Sequence, residues 1–298
     1  MQRLFEKIGL FHPAGQINRE QFIKGKHHLQ KLSDEIIEFP LELDSDPLVA
    51  RNDVNVLKEW NYFAERKDIP YLIASRGGVG STRLVRELMK EELSLLHQIL
   101  IGFSDLTSLF WYLLVEYDKP SIYGPVVQYH FANYPQWTTY NHFFELIKSE
   151  KSWNLHLDKL QGMVHSSRNE IYGTLLPVCL SIFSENYIPE KRSDKFIMVV
   201  EDINEKAYKI YRYIQLLEIK GFLTKVEAVL LGDFTNTDNQ VLVETCFEEI
   251  CTAYSIPLFK GIPFGHHLNS ESLPFGVPAR LIVDEQRLEC DLSAMNMY

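Results

Sequence analysis

Four times within the first 115 residues, a short apolar run with strand spacing gives way across a turn to a longer run with helical spacing. Residues 8–11 precede 18–32, 36–39 precede 54–65, 71–74 precede 82–96, and 99–102 precede 104–115. Phe22, Leu29 and Leu32 share one side of the first helical run, and Val54, Leu57, Trp60 and Phe63 share one side of the second. Few folds accept this alternation. A strand that returns through a helix comes back parallel, and the helices must cover both faces of the sheet. Such sheets place their functional groups in the turns at the C-terminal ends of the strands.

The pattern resumes later in the chain. Strand spacing at 196–200 leads to helical spacing at 205–220, closed by Gly221, and 229–231 leads to 241–254. Residues 256–259 are a short extended run in which Pro257 predicts an edge strand. Between the two halves, residues 165–169 are polar and turn-like, and from Leu273 the tail is rich in Pro and Gly and then β-like. The expected class is therefore α/β: an N-terminal parallel-sheet domain over 1–150, a crossover over 151–190, and a C-terminal α/β domain over 191–298.

Composition narrows the partners. With 46% apolar, 23% charged and 12% aromatic residues in 298, the chain can bury a large core and is not a disordered one. Asp and Glu outnumber Lys and Arg by 40 to 30, a formal charge of -10, which disfavours nucleic acid and anionic membrane surfaces. No run approaches the ~18 apolar residues of a membrane span. Glu6 and Lys7 break the opening segment, so a secretory signal is not expected. The four cysteines, Cys179, Cys246, Cys251 and Cys290, form no CxxC pair and read as reduced, buried thiols of a cytosolic protein. Neither HExxH nor a zinc-type His/Cys spacing occurs, so no metal is expected.

The turns after the strands carry the chemistry. Arg76-Gly77-Gly78-Val79-Gly80 follows a strand and opens a helix, where glycines free backbone N–H groups to face a ligand or an oxyanion. It matches neither GxGxxG nor the P-loop, so it is no nucleotide signature. Gly102-Phe103-Ser104-Asp105 puts a serine hydroxyl at the sheet's edge, with the Asp105 N–H beside it, although GxSxG is absent. Val200-Glu201-Asp202 ends an apolar strand in two carboxylates, and His266 follows the Pro263-Phe264-Gly265 turn. Each has a plainer reading alone. Ser104 or Asp105 would cap the helix that follows, Asp202 or Asn204 would cap the next one, and the glycines would serve a tight turn. Together, Ser104, Glu201 and His266 each stand just after a strand in a known order for a nucleophile, acid and base.

These blocks, in this order, resemble the LD-carboxypeptidase family of serine peptidases, which also contains the microcin C immunity peptidases. Tyr123-Gly124-Pro125, Leu231-Gly232-Asp233-Phe234-Thr235 and Leu273-Pro274-Phe275-Gly276 fit the same pattern, and the likeness runs from about Ile8 to Leu281. The resemblance implies a Rossmann-like N-terminal nucleophile domain and a C-terminal domain supplying acid and base. It implies Ser104 as nucleophile, Glu201 as acid, His266 as base, and the N–H groups of Gly78 and Asp105 as the oxyanion hole. It further implies a cytoplasmic homodimer without cofactor that removes terminal D-Ala from murein tetrapeptides during cell-wall recycling. Arg76 is the candidate for the substrate's terminal carboxylate, or else the partner of a structural salt bridge. A microcin C immunity-type peptidase acting on peptidyl or aminoacyl nucleotides, and a non-catalytic muropeptide-binding protein, are the alternatives.

Three departures stand out. His12-Pro13-Ala14-Gly15 replaces the family's Ala-Pro and small polar residues after the first strand, and Tyr123 stands where the family often has His. Gly173-Thr174-Leu175-Leu176 aligns with a Gly-Gly-Asn-Leu run, which predicts a lost glycine and amide near the cleft and an altered acyl-side preference.

Overall fold

The computed structural model describes residues 3–40, 48–90, 94–134, 136–187 and 194–295. The N-terminal half runs β1 (Phe5–Phe11), α1 (Arg19–Leu29), β2 (Ser33–Glu38), α2 (Asp53–Ala64), β3 (Tyr71–Ala74), α3 (Ser81–Leu88), β4 (Ile99–Gly102), α4 (Thr107–Tyr117) and β5 (Ser121–Tyr123). After α5 (Tyr140–Lys148) come β6 (Ser152–His156), β7 (Gln161–Val164), β8 (Glu170–Cys179), α6 (Leu180–Asn186), β9 (Phe196–Ile203) and α7 (Ala207–Ile219). The chain continues through β10 (Val226–Thr235), α8 (Gln240–Ala253), β11 (Leu258–Lys260), β12 (Leu273–Phe275), β13 (Pro278–Ile282) and β14 (Arg287–Asp291).

Local chemistry accounts for these elements. Every residue of β3 and β4 is buried, as expected for parallel strands covered on both faces. Asn18, Asn52 and Asn239 start α1, α2 and α8 by accepting the N–H of Gln21, Asn55 and Leu242 at 3.0–3.1 Å. The helix expected over 82–96 ends at Leu88.

Two sheets result, with strand orders β12-β5-β4-β3-β1-β2 and β6-β14-β13-β8-β9-β10-β11-β7. The first is parallel except for β12, which returns antiparallel beside β5. The second has a parallel centre, β8-β9-β10-β11, flanked by antiparallel strands. Helix α4 is buried along nearly its whole length, and Trp111 packs against Phe183, Tyr187 and Phe196 at ring distances of 5.2–6.0 Å. Those three rings belong to the second half, so the helix that follows Ser104 is also the seam between the halves.

Several expectations need correction. Residues 151–190 do more than cross over: they supply β6, β7 and β8 to the second sheet, together with α6. The boundary at 190 lies outside the described residues. β11 is not an edge strand; it pairs with β10 on one side and β7 on the other. Pro257 lies just ahead of it, so no ladder N–H is missing, and the Pro257 carbonyl accepts the Val229 N–H at 2.9 Å. Gly173–Leu176 is not at the cleft. Thr174 pairs with Phe196 at the start of β9, whereas Glu201 near its end faces Cys179. At about 3.3 Å per residue, the run lies roughly 10–20 Å down the strand from the carboxylate. The four cysteines are buried and unbridged.

Candidate active site

Parallel strands from both sheets point their C-terminal ends at one place. Ser104 follows β4, the glycine turn follows β3, Glu201 sits near the end of β9, and His266 lies between β11 and β12. Ser104 Oγ is 2.8 Å from His266 Nε2, and His266 Nδ1 is 2.5 Å from Glu201 Oε2. The carboxylate can only accept, so Nδ1 carries the proton and Nε2 presents a lone pair to the serine hydroxyl. Residues separated by 162 and 65 positions are thus in one relay.

The nucleophile candidate sits on strained backbone. Ser104 has φ +63°, in the left-handed region that only a few per cent of non-glycine residues occupy. Two contacts hold the turn. Its N–H donates to Tyr123 Oη at 2.9 Å, and its carbonyl accepts from Thr107 Oγ1 at 2.7 Å. Thr107 Oγ1 also accepts the Cys179 N–H at 3.2 Å, which links the turn to β8.

Glu201 is fully buried. Its charge is met by two donors, His266 Nδ1–H and the Tyr123 hydroxyl, the latter 2.5 Å from Oε1. Burial pushes the His266 imidazole down, but the Glu201 and Asp202 carboxylates outweigh it, and the net pKa is raised. Phe103 packs its ring 4.9 Å from that of His266.

The glycine turn lies against the serine. A Cβ on Gly77 would stand 3.0 Å from the Ser104 Cβ, and Gly78 has φ +112°, so a side chain at either position would push the loop away. Among the described residues, the backbone N–H groups of Gly78 and Asp105 donate to no protein acceptor. The N–H of Ser104 itself is taken by Tyr123.

The plainer reading of the acids as caps is half right, but for different helices. Asp105 is buried, and its Oδ2 accepts the Ser81 N–H at 2.8 Å, so it caps α3 rather than its own helix. Burial raises its pKa, against the pull of that hydrogen bond. Asp202 likewise caps α6, accepting the Ser181 N–H at 2.7 Å, and it also accepts the N–H of its neighbour Ile203 at 2.8 Å. Burial, then the nearby Glu201 charge, pushes Asp202 up to about 6. Asp105→Ala should therefore lower unfolding stability by about 1–2 kcal/mol in urea titration while leaving the residue-105 N–H in place.

Arg76 donates Nε to the Gly77 carbonyl at 3.1 Å and Nη1 to the Gln16 carbonyl at 2.6 Å. Among the described residues no carboxylate pairs with it. Partial burial lowers its pKa. Two further residues emerge only from the structure. Tyr123 was visible in the sequence as a departure and not as a contact. His130 is buried beside Phe103 and accepts the Val126 N–H at Nδ1, 3.2 Å away. Burial and the positive charge of its histidine neighbours push it down to about 3, which keeps it neutral. Among the described residues, no cluster of three His, Cys, Asp or Glu is placed to hold a metal ion, and no helix is long and apolar enough to cross a membrane.

The chain is similar to known proteins over most of its length. Residues 8–124 match the LD-carboxypeptidase N-terminal domain and residues 168–281 the LD-carboxypeptidase C-terminal domain. The crystal structure of muramoyltetrapeptide carboxypeptidase from Oxalobacter formigenes superposes with a TM-score of 0.80 at 25% identity, covering 96% of this chain and 98% of that one. A carboxypeptidase-named protein of Synechocystis is 27% identical over 70% of this chain and 69% of its own length. The microcin C7 self-immunity protein of Escherichia coli is 21% identical over 95% of this chain and 92% of its own. The two domain matches fall in family order and together span most of the sequence, one on each side of the Ser104–His266 contact: the chain belongs to the LD-carboxypeptidase family.

Proposed function

We propose that this protein is a serine-type LD-carboxypeptidase that releases the terminal D-Ala of murein tetrapeptides. The observation that carries the reading is the hydrogen-bonded line from Ser104 Oγ through the imidazole of His266 to Glu201. His266 Nε2 takes the Ser104 proton as Oγ attacks the scissile carbonyl. Glu201 holds the Nδ1 proton and stabilises the imidazolium. The N–H groups of Gly78 and Asp105 receive the oxyanion. His266 then protonates the leaving amine, and it activates the water that hydrolyses the Ser104 ester. The protein would act in the cytoplasm, as a homodimer, on murein fragments or similar small peptides.

Arg76 takes the substrate's C-terminal carboxylate in this reading, since its charge has no acidic partner among the described residues. Arg76→Ala should lower kcat/KM for a free-acid tetrapeptide by about 10–100-fold, the usual worth of a charge-assisted contact. The same variant should barely alter turnover of the C-terminal amide.

A second reading keeps the chemistry and changes the substrate. Solved structures of the microcin C7 self-immunity protein, with the same fold, are described in complex with aspartyl sulfamoyl adenosine and glutamyl sulfamoyl guanosine. Mass spectrometry of the protein incubated separately with a diaminopimelate-type tetrapeptide and an aminoacyl sulfamoyl nucleotide decides between them. Loss of one alanine from the tetrapeptide supports the carboxypeptidase reading. Cleavage of the nucleotide conjugate alone replaces it with the immunity-type reading. Cleavage of neither would favour a muropeptide-binding protein.

A further inference from the structure

We propose that Tyr123 is a positioning residue that locks the nucleophile turn and the acid together through its single hydroxyl. This rests on the reading of Ser104, His266 and Glu201 as a triad. One oxygen makes both contacts: Tyr123 Oη accepts the Ser104 N–H at 2.9 Å and donates to Glu201 Oε1 at 2.5 Å. The first contact holds a serine whose φ is +63°. The second occupies the carboxylate oxygen that His266 does not use.

The rest of the side chain is placed for the same task. Tyr123 is 1% exposed, so its hydroxyl is shielded from bulk solvent. Its backbone pairs with Gly102, two residues before Ser104, and with Leu273, in the strand that follows the His266 loop. Its ring lies 4.8 Å from Phe264, two residues before His266, and 6.3 Å from Phe103, next to Ser104. Position 123 thus stands between the nucleophile and the base in the sheet, and touches the acid at its tip. Burial and the charge of Glu201 both favour the protonated phenol, which is the form that can donate. A histidine here would offer two ring nitrogens, each a donor or an acceptor, and could not make both contacts at one atom.

The test uses a substrate-independent readout, the rate at which a fluorophosphonate labels Ser104 as a function of pH. The groups facing His266 are Glu201 and Asp202 from β9 and His130 from the other half. With the phenol donor gone, Glu201 attracts the imidazolium more strongly, so His266 stays protonated to higher pH. Tyr123→Phe should slow labelling about 10–100-fold at neutral pH and move its acid limb up by about one unit. Tetrapeptide turnover should fall in kcat with KM little changed. Site-specific 3,5-difluorotyrosine at 123, a more acidic phenol and stronger donor, should move the limb down. This second variant keeps the ring and both contacts, so it decides the matter if Tyr123→Phe fails to fold. An unmoved limb in the fluorinated protein, or a Tyr123→Phe loss confined to KM, overturns the proposal. Failure of the triad reading looks different: Ser104→Ala would then still be labelled, or still turn over substrate.

Discussion

Ser104→Ala is expected to lower tetrapeptide turnover by about 10⁴–10⁶-fold, with KM and unfolding close to wild type. The size follows from the relay. Without Oγ, the lone pair on His266 Nε2 has no hydroxyl to activate, and water must attack from a position that nothing organises. What remains is the contribution of the oxyanion donors and of substrate binding, neither of which uses the serine hydroxyl. Folding should be little affected. The turn is held by backbone contacts, from the Ser104 N–H to Tyr123 and from Thr107 to the Ser104 carbonyl, and an alanine keeps both. Alanine release is measured by mass spectrometry, and fluorophosphonate labelling should vanish in the same variant. Undiminished release would reduce Ser104 to a turn residue and remove the proposed mechanism.

Glu201→Gln carries the second largest expected effect, a fall in kcat of about 10⁴-fold. The side chains are nearly the same size, so the buried site keeps its packing. What changes is the proton count. An amide can turn its NH₂ toward His266 Nδ1, which favours the tautomer with the proton on Nε2, the wrong one for accepting from serine. The pH profile should change with it. In the wild type the Glu201 and Asp202 carboxylates raise the imidazole pKa against the effect of burial, so the acid limb of kcat/KM should lie above the unperturbed value of about 6.5. Losing the larger of those charges lets burial dominate, and the limb in Glu201→Gln should move down. Stability follows the same sign. A raised folded-state pKa stabilises the protein fully below about 6.5, and that contribution is lost as pH rises through the folded-state value. The variant should lack this acid-side gain in denaturant titrations.

Much of this architecture was legible because parallel strands announce themselves. Tyr71–Ala74 and Ile99–Gly102 are apolar along their whole length, and each is followed by residues that do not belong in a core. The three residues of the relay could be named from that local rule together with the order of the family-like blocks. The middle of the chain was less readable. β6, β7 and β8 pair with strands far along the sequence, and β14 and β13 complete the sheet from the C-terminal end. Periodicity reports which side of a strand is apolar, but it does not report the partner. The caps misled for a related reason. Asp105 and Asp202 are good capping residues beside plausible helix starts, yet each reaches across to the first turn of another helix.

By itself, the sequence determined the class of fold and the strand ends at which chemistry could sit, because each depends on spacing within a few residues, and the order of the family-like blocks along the chain pointed to the three side chains of the relay. Only the tertiary structure decided that β12 returns to the first sheet beside β5, that Tyr123 bridges Ser104 and Glu201, and that Gly173–Leu176 lies far down β8. Those are matters of register and of meeting across 19 to 150 residues of chain. They are set by which buried surfaces and hydrogen-bonding edges satisfy one another at once, and no local pattern carries that information.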